Sequence, residues 1–318
     1  MIQPPAPTSD TPALALIGLG RMGANMARRL ARHGARVEAF DAQPEARQSL
    51  SDEPGVVVHD SLQRAVRALP GPRIVWLMLP AGEVSASVLA ELPGLLTEGD
   101  LVVDGANANY RDAQARAREL AVHGIRFADC GVSGGIWGLE NGYCLMFGAD
   151  RESAAQLAPI MQRLAPAPDR GWLHCGDVGS GHFVKMIHNG IEYGAMQAYA
   201  EGFALLAGHE DFQLDLAAVG ELWRHGSVVR SWLLDLTVDA LRDPQAMTQI
   251  APFVADSGEG RWTVDEAVRQ GTPAPVIALA LMSRFASQGQ GDTANRLLAL
   301  MRKGFGGHAV KPETGPLA

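Results

Sequence analysis

A glycine-rich turn between a short apolar strand and a helix constrains the fold of this chain more than any other feature. Residues 13 to 17 are apolar, Gly18-Leu-Gly20-Arg-Met-Gly23 follows, and residues 24 to 33 have helical periodicity. The first glycines let the backbone turn and approach a pyrophosphate at the helix N-terminus, and the third lets helix and strand pack closely. The order therefore predicts a dinucleotide site. Its candidate contacts in this motif are Gly18, Gly20, Met22 and Gly23.

The second predicted strand, residues 36 to 40, ends at Asp41, about twenty residues after the glycines, as expected of the acidic residue that binds the ribose hydroxyls of NAD. A carboxylate there repels the 2′-phosphate of NADP. Arg47, further along, is interpreted as helix surface. NAD is therefore favoured, with NADP possible but less favoured. The alternative is that Asp41 caps the helix beginning near Pro44.

Strand and helix patterns alternate through the rest of the first half, which predicts a mostly parallel, doubly wound, Rossmann-like sheet with helices on both faces. In such sheets ligands bind beyond the carboxyl ends of the strands. Three turns are expected at those ends. They are Leu79-Pro80-Ala81, Asp104 to Asn107, and a flexible segment from Cys130 to Gly135.

After Glu192 the periodicity is helical throughout, so the second half is predicted to be an all-α domain joined to the first by a long helix. The predicted boundaries are a disordered tail over 1–12, a dinucleotide-binding domain over 13–178, and a helical domain for substrate binding and oligomerisation over 179–318. The junction between two such domains is a favoured place for a ligand.

The joining helix is predicted to begin near Ser180 or His182 and to carry a row of reactive groups. Lys185, Asn189 and Glu192 are at i, i+4 and i+7, which share one helix face. A base, an amide and an acid would point the same way. The alternative is that Lys185 and Glu192 are ordinary surface charges. The apolar residues expected to bury the helix are Phe183, Met186, Ile187 and Ile191.

Charge and cysteine content limit the partners and the compartment. The chain has 27 basic and 35 acidic residues and a formal charge of −8, which argues against a nucleic-acid or anionic-membrane partner. Its three cysteines have no metal-like spacing and indicate reduced thiols in a cytoplasmic protein. Neither a signal peptide nor a membrane-spanning segment is indicated.

Four segments together resemble the decarboxylating 6-phosphogluconate dehydrogenases, in particular the short bacterial NAD-preferring form within the β-hydroxyacid dehydrogenase superfamily. They are the Gly18–Gly23 motif, Asp104-Gly-Ala-Asn107, Gly131-Val-Ser-Gly-Gly135 and the segment from Gly181 to Gly194. The resemblance runs from about residue 14 to 310. It implies oxidation of 6-phospho-D-gluconate to ribulose 5-phosphate and carbon dioxide without a metal, with Lys185 as general base and Glu192 as the proton donor to carbon 1.

The resemblance also implies the other site residues. Contacts to the gluconate part fall on Asn107, Ser133, Gly134, Gly135, His188 and Asn189, and contacts to the phosphate on Tyr193 and Arg284. Leu79, Pro80, Ala81 and Asn107 would contact the cofactor. Arg302 and His308 would complete the phosphate site of a neighbouring subunit, in a homodimer or homotetramer.

Two departures from the long form of the family bear on the cofactor and the assembly. The chain is much shorter, and Pro80 and Asp41 replace a lysine and an Asn-Arg pair, which favours NAD. The first alternative is a dehydrogenase of another β-hydroxy acid, such as 3-hydroxyisobutyrate, which would share Lys185 but not need Glu192, Arg302 or His308. The second is a non-catalytic NAD-binding regulator.

Overall fold

The computed structural model describes residues 11–306. Residues 1–10 of the predicted tail lie outside the described residues, and so does His308. The chain divides into two compact units, Met1–Ile187 and His188–Ala318, and the division falls within one helix. The sequence places the boundary a few residues earlier, at the start of that helix.

The first unit is built on an eight-stranded sheet with the order β3-β2-β1-β4-β5-β6-β7-β8. Its pairs are parallel except for β6 with β7. The strands are Ala13–Ile17 (β1), Arg36–Phe40 (β2), Val56–Val58 (β3), Ile74–Leu77 (β4), Leu101–Asp104 (β5), Arg126–Ser133 (β6), Cys144–Gly148 (β7) and Trp172–Gly176 (β8).

Helices cover both faces of this sheet. Along β1, Leu14 and Leu16 belong to one buried apolar cluster, whereas Ala15 and Ile17 belong to another. Because successive side chains point to opposite faces, a strand buried on both sides must be apolar throughout. This confirms the predicted doubly wound fold. The helices of this unit are Arg21–Arg32 (α1), Pro44–Gln48 (α2), Leu62–Arg67 (α3), Glu83–Glu91 (α4), Tyr110–Ala121 (α5), Gly138–Asn141 (α6) and Arg151–Leu164 (α7).

Strand β6 is longer than the sequence predicts. The segment expected to form a turn from Cys130 onward remains in the strand as far as Ser133, because it pairs antiparallel with β7. Gly131 lies opposite Met146, and Ser133 lies opposite Cys144. The turn begins at Gly134, with φ 133° there and φ 53° at Gly135. The prediction of a turn starting at Cys130 is therefore wrong.

A single 28-residue helix, Ser180–Ala207 (α8), confirms the long joining helix predicted to begin near Ser180. Met186 is buried as predicted, but Ile191 is 61% exposed, so its predicted burial is wrong. Gly190 and Tyr193 form the buried face instead, because a side-chain carbon on Gly190 would lie 2.6 Å from Thr263 Cγ2. The glycine permits close packing that a hydrophobicity pattern does not register.

The remaining described helices confirm the all-α second half. They are Leu216–Arg224 (α9), Trp232–Leu241 (α10), Pro244–Gln249 (α11), Glu259–Gln270 (α12), Pro275–Ser287 (α13) and Asp292–Gly306 (α14). Within residues 11–306 no helix combines the length and apolarity that crossing a bilayer requires. The same residues contain no cluster of three His, Cys, Asp or Glu side chains that could bind a metal ion.

Candidate active site

Each of the three motif glycines is required, or allowed, by a different feature of its surroundings. Gly18 has φ 96°, and a side-chain carbon there would lie 2.4 Å from the Met78 carbonyl oxygen. One on Gly23 would lie 1.9 Å from the Gly18 carbonyl oxygen, which is the close packing expected of the third glycine. At Gly20, directly before α1, no atom lies within 4 Å of such a carbon. Gly20 therefore borders open space at the start of α1, where an anion site would be expected.

A cavity of about 600 Å³ adjoins this turn within the first unit. Its lining is mostly apolar with a few polar groups, as in most cofactor sites. Gly23 and Ala81 do not line it, Gly23 because it packs inward. The predicted cofactor contacts that do line it are Gly18, Gly20, Met22, Asp41, Leu79, Pro80 and Asn107.

Asp41 fixes the backbone at one end of the cavity. Its two carboxylate oxygens accept hydrogen bonds from the Leu19 amide at 2.6 Å and the Gln43 amide at 2.7 Å. Arg47 Nη1 donates to the carbonyl oxygens of Asp41 at 2.8 Å and Ala42 at 3.1 Å. Arg47 is thus part of the loop that presents Asp41, which the sequence interpretation as helix surface missed. A carboxylate has about four acceptor sites, so Asp41 can still accept from ribose hydroxyls and the residues fit a dinucleotide.

Lys185 lies directly against β6. A side-chain carbon on Gly131 would be 2.2 Å from Lys185 Cβ, so only glycine allows this approach. Ser133 is two residues further along the same face of β6, and Cys144 lies opposite it on β7. Burial raises the pKa of the Cys144 thiol, and the charge of Lys185 acts in the opposite direction. Lys185 therefore lies near the pair formed by Ser133 and Cys144.

The row predicted along α8 is present on one continuous helix. Lys185, Asn189 and Glu192 are all partly buried and share one side by their spacing. His188 Nδ1 lies 3.1 Å from Asn189 Oδ1 and 3.8 Å from Glu192 Oε2. The side chains of His188 and Glu192 are 39% and 41% exposed, so both can reach a ligand.

Tyr193 and Arg284, two of the candidate phosphate contacts, lie together in the second unit. The Arg284 guanidinium carbon lies 3.5 Å from the centre of the Tyr193 ring, and Arg284 Nη1 donates to the Ala255 carbonyl oxygen at 2.8 Å. The buried Tyr193 hydroxyl has no hydrogen-bond partner within the described part of the chain. A buried polar group without a partner is unfavourable, and an oxygen-rich ligand beside it would remove that penalty.

Arg302 is exposed on α14, and His308 is outside the described residues. Ser133 is partly buried at the end of β6, with Gly134 and Gly135 directly after it.

Sequence reasoning missed the residues that support these groups. Gly131 makes room for Lys185, and the buried Asp129 accepts two amide hydrogen bonds from the start of α8. The available signal was that Asp129 is a charged residue with apolar neighbours, Ala128 and Cys130, in a predicted sheet, and a buried charge requires partners.

Comparisons with known proteins agree with this fold. The family model for the NAD binding domain of 6-phosphogluconate dehydrogenase matches residues 13–176, and the model for the C-terminal domain of 6-phosphogluconate dehydrogenase matches residues 181–308. The chain is similar to the NAD(+)-dependent, decarboxylating 6-phosphogluconate dehydrogenase of Haloferax volcanii. The two are 41% identical over 298 residues, which cover 93% of this chain and 98% of the relative.

Two solved structures share the fold. The 6-phosphogluconate dehydrogenase of Plasmodium falciparum has a TM-score of 0.80 at 23% identity, covering 96% of this chain and 67% of its own. The 3-hydroxyisobutyrate dehydrogenase of Mycobacterium tuberculosis has a TM-score of 0.68 at 22% identity, covering 89% and 94%.

Proposed function

The chain belongs to the 6-phosphogluconate dehydrogenase family, and on that premise we propose that it oxidises 6-phospho-D-gluconate with NAD and releases ribulose 5-phosphate and carbon dioxide. The observation that carries the proposal is the row of Lys185, Asn189 and Glu192 on α8, with Lys185 against β6 beside Ser133. An amine, an amide and a carboxyl group in one row are what two coupled proton transfers on one substrate need.

The use of lysine in the chain supports Lys185 as the base. The whole sequence contains three lysines, Lys185, Lys303 and Lys311, and arginine supplies the rest of its 27 basic residues. Arginine cannot be deprotonated in a protein, whereas a partly desolvated lysine can be. Lys185 is thus one of three lysines among 27 basic residues, and it lies where a titratable amine is needed.

In the proposed mechanism, neutral Lys185 removes the proton of the 3-hydroxyl. Bound NAD supplies the acceptor for the hydride that leaves carbon 3. The resulting 3-keto acid then loses carbon 1 as carbon dioxide, and the Lys185 ammonium beside the keto oxygen stabilises the negative charge that develops there.

Glu192 completes the product. The enediol left after decarboxylation needs a proton on the carbon that becomes carbon 1 of the pentulose, and the Glu192 carboxyl group donates it. His188, 3.8 Å from Glu192 Oε2, positions that carboxyl group. Asn107, Ser133, Gly134, Gly135 and Asn189 bind the hydroxyl and carboxylate groups of the substrate.

For the phosphate, we propose Tyr193 and Arg284 from the same chain and Arg302 and His308 from a neighbouring one. The unpartnered Tyr193 hydroxyl supports the first pair. For the second, Leu297, Leu298, Leu300 and Met301 on α14 are each more than half exposed. A helix with so much exposed apolar surface needs a covering partner, and a second copy of the chain supplies it in a homodimer or homotetramer. In this scheme residues 13–178 bind the cofactor and 179–318 serve the substrate and the assembly.

NAD is proposed over NADP on the charge of Asp41, beside the cavity. The Haloferax relative is named as NAD(+)-dependent, whereas the Plasmodium enzyme is described with NADP+.

A test of the whole proposal is the rise in reduced-nicotinamide absorbance with 6-phosphogluconate and each nucleotide. We expect a clear rise with NAD and a smaller one with NADP. A rise with 3-hydroxyisobutyrate but not with 6-phosphogluconate would favour the alternative β-hydroxy acid dehydrogenase, and no rise with any acid would favour the regulator.

A further inference from the structure

We propose that Asp129 is a positioning residue for the reaction, because its carboxylate holds the first turn of α8 on strand β6 and thereby fixes the place of the Lys185 amine. The inference rests on the proposed function, since it takes Lys185 as the base. Asp129 itself contacts neither substrate nor cofactor in this scheme and acts through the helix.

The contact that carries the proposal is a helix cap supplied by another element. Asp129 Oδ1 accepts the Gly179 amide and Oδ2 accepts the His182 amide, both at 2.6 Å. Gly179 directly precedes α8 and His182 is its third residue, so these amides lack carbonyl partners within the helix. A side chain usually caps the helix of its own segment, but this carboxylate comes from a strand about fifty residues earlier in the chain.

Two close approaches lock the capped turn in register. A side-chain carbon on Gly181 would lie 2.6 Å from the Met146 carbonyl oxygen and 2.7 Å from that of Asp129. One turn later, Gly131 leaves the space that Lys185 Cβ occupies. Asp129 and Gly131 are two residues apart on β6. The strand therefore contacts α8 at two points, its first turn and Lys185.

The same turn is tied to the loop that carries Asn107. The His182 ring is 1% exposed, and its Nε2 lies 3.1 Å from the Asp104 carbonyl oxygen. Asp104 Oδ1 in turn accepts the Ala106 amide at 3.0 Å. The cap therefore connects the helix bearing Lys185 to the two strand ends bearing Asn107 and Ser133, which are candidate substrate contacts.

Burying the Asp129 carboxylate is energetically unfavourable, and its partners offset part of that cost. Burial raises the pKa of the Asp129 carboxyl, while the charge of His182 and the two amides act to lower it. A buried carboxylate that served only packing would be replaceable by an apolar residue, whereas one that fixes a helix start needs its two acceptor oxygens.

The test compares Asp129→Asn with Asp150→Asn. Asp150 caps α7, where it accepts the Ser153 amide at 2.9 Å, and α7 carries none of the proposed site residues. Both variants lose one charged cap in the same unit. A displaced base should lower kcat for 6-phosphogluconate by roughly tenfold to a hundredfold in Asp129→Asn. Its dissociation constant for NAD should stay within about twofold, and Asp150→Asn should lose thermal stability but keep its kcat within about twofold.

A second readout does not depend on turnover. Reductive methylation with 13C-formaldehyde labels the lysines and the N-terminus, and the loss of one signal in Lys185→Arg assigns Lys185. The proposal expects Asp129→Asn to shift the Lys185 resonance and its titration midpoint, and Asp150→Asn to leave both unchanged. If Asp129→Asn does not fold, Asp129→Ser, which keeps one acceptor in a smaller side chain, takes its place.

The proposal is overturned if the Asp129 variant keeps its kcat and its Lys185 signal, or if Asp150→Asn changes them equally. If the wild type does not turn over 6-phosphogluconate while Asp129→Asn still moves the Lys185 signal, the proposed function fails and the positioning role stands.

Discussion

Lys185 approaches β6 so closely that only glycine fits at position 131. A methyl group at position 131 would overlap Lys185 Cβ, with 2.2 Å between the two carbons, and the strand backbone cannot yield without losing its pairing with β7. We therefore expect Gly131→Ala to displace the amine and to lower kcat about a hundredfold.

The control for that substitution is Gly202→Ala on the same helix. A side-chain carbon at Gly202 would meet nothing within 4 Å, so alanine there should raise the free energy of unfolding by about 0.5–1 kcal/mol and leave kcat unchanged. Steady-state kinetics and thermal unfolding of both variants check the pair. An active Gly131→Ala enzyme would remove the argument that β6 positions the base.

Glu192 is tested by Glu192→Gln, since glutamine keeps the shape but cannot donate a proton as an acid. Ribulose 5-phosphate formation should fall by roughly 10²–10⁴-fold, with the reaction stalling after oxidation or losing activity altogether. Glu201→Gln is the matched control, because Glu201 is exposed on the same helix and accepts a hydrogen bond from Gln197 on the helix surface. Equal product rates for wild type and Glu192→Gln would contradict the assigned role.

Asp41 is tested through the cofactor. Asp41→Asn removes the charge but keeps a side-chain oxygen, so the ratio of kcat/KM for NAD over NADP should fall about tenfold, or ~1.4 kcal/mol. Asp52→Asn removes an exposed charge from the same unit and should leave the ratio unchanged. Kinetics with both nucleotides decide it, and an unaltered ratio in Asp41→Asn would show that another group sets the preference.

At the scale of elements, buried carboxylates secure the ends of strands and helices. Asp100, just before β5, accepts the amides of Arg73 at 2.6 Å and Thr97 at 2.8 Å, and the Arg73 guanidinium at 3.0 Å. Burial raises the pKa of Asp100, but these bonds outweigh it and hold the pKa below the usual 3.8. The stabilisation is complete above the unfolded pKa and is lost as pH falls through the folded value.

Asp100→Asn should accordingly lower the free energy of unfolding by about 1–3 kcal/mol at pH 7. The difference from wild type should shrink once the pH drops below 3.8, where the wild-type carboxylate itself becomes protonated. Urea unfolding across that range measures it. Asp60→Asn, which breaks an exposed pair with Arg64, should change stability by less than about 1 kcal/mol at any pH. A constant difference between Asp100→Asn and wild type down to low pH would contradict the linkage.

Some of the helices and strands could be predicted from local sequence, and others could not. The strand–turn–helix order at Gly18 to Gly23 and the apolar runs of β1 and β5 were predictable because local spacing determines them. The extension of β6 to Ser133 was not, since it depends on pairing with β7, which local pattern does not reveal. The exposure of Ile191 was missed for the same reason, because the close packing of Gly190 on Thr263 decides which face of α8 is buried.

Across the whole molecule, the order of a doubly wound sheet followed by helices was predictable from alternating and then continuous helical periodicity. The identity of the candidate site came from the row on α8 and from motif likeness. Its supporting contacts could not be predicted, because Asp129 and Gly131 are about fifty residues from α8 in sequence and contact it only in the fold.

The most exposed apolar side chains of the described residues belong mainly to the second unit, including Val228 at 100% and Ile250 at 72%. We expect the protein in solution to have a mass that is a multiple of the 33.8 kDa chain. Light scattering during size-exclusion chromatography measures this. Arg302→Ala should raise KM for 6-phosphogluconate without changing the mass, and a monomer with full activity would contradict the shared phosphate site.

Oxidation coupled to loss of carbon dioxide through Lys185 is tested by measuring NADH and carbon dioxide together from 6-phosphogluconate. We predict equal amounts of the two from the wild type and neither from Lys185→Arg, which keeps the charge but cannot act as a base. Wild-type enzyme that forms neither product, NADH without carbon dioxide, or a Lys185→Arg variant that forms both at the wild-type rate would contradict the account.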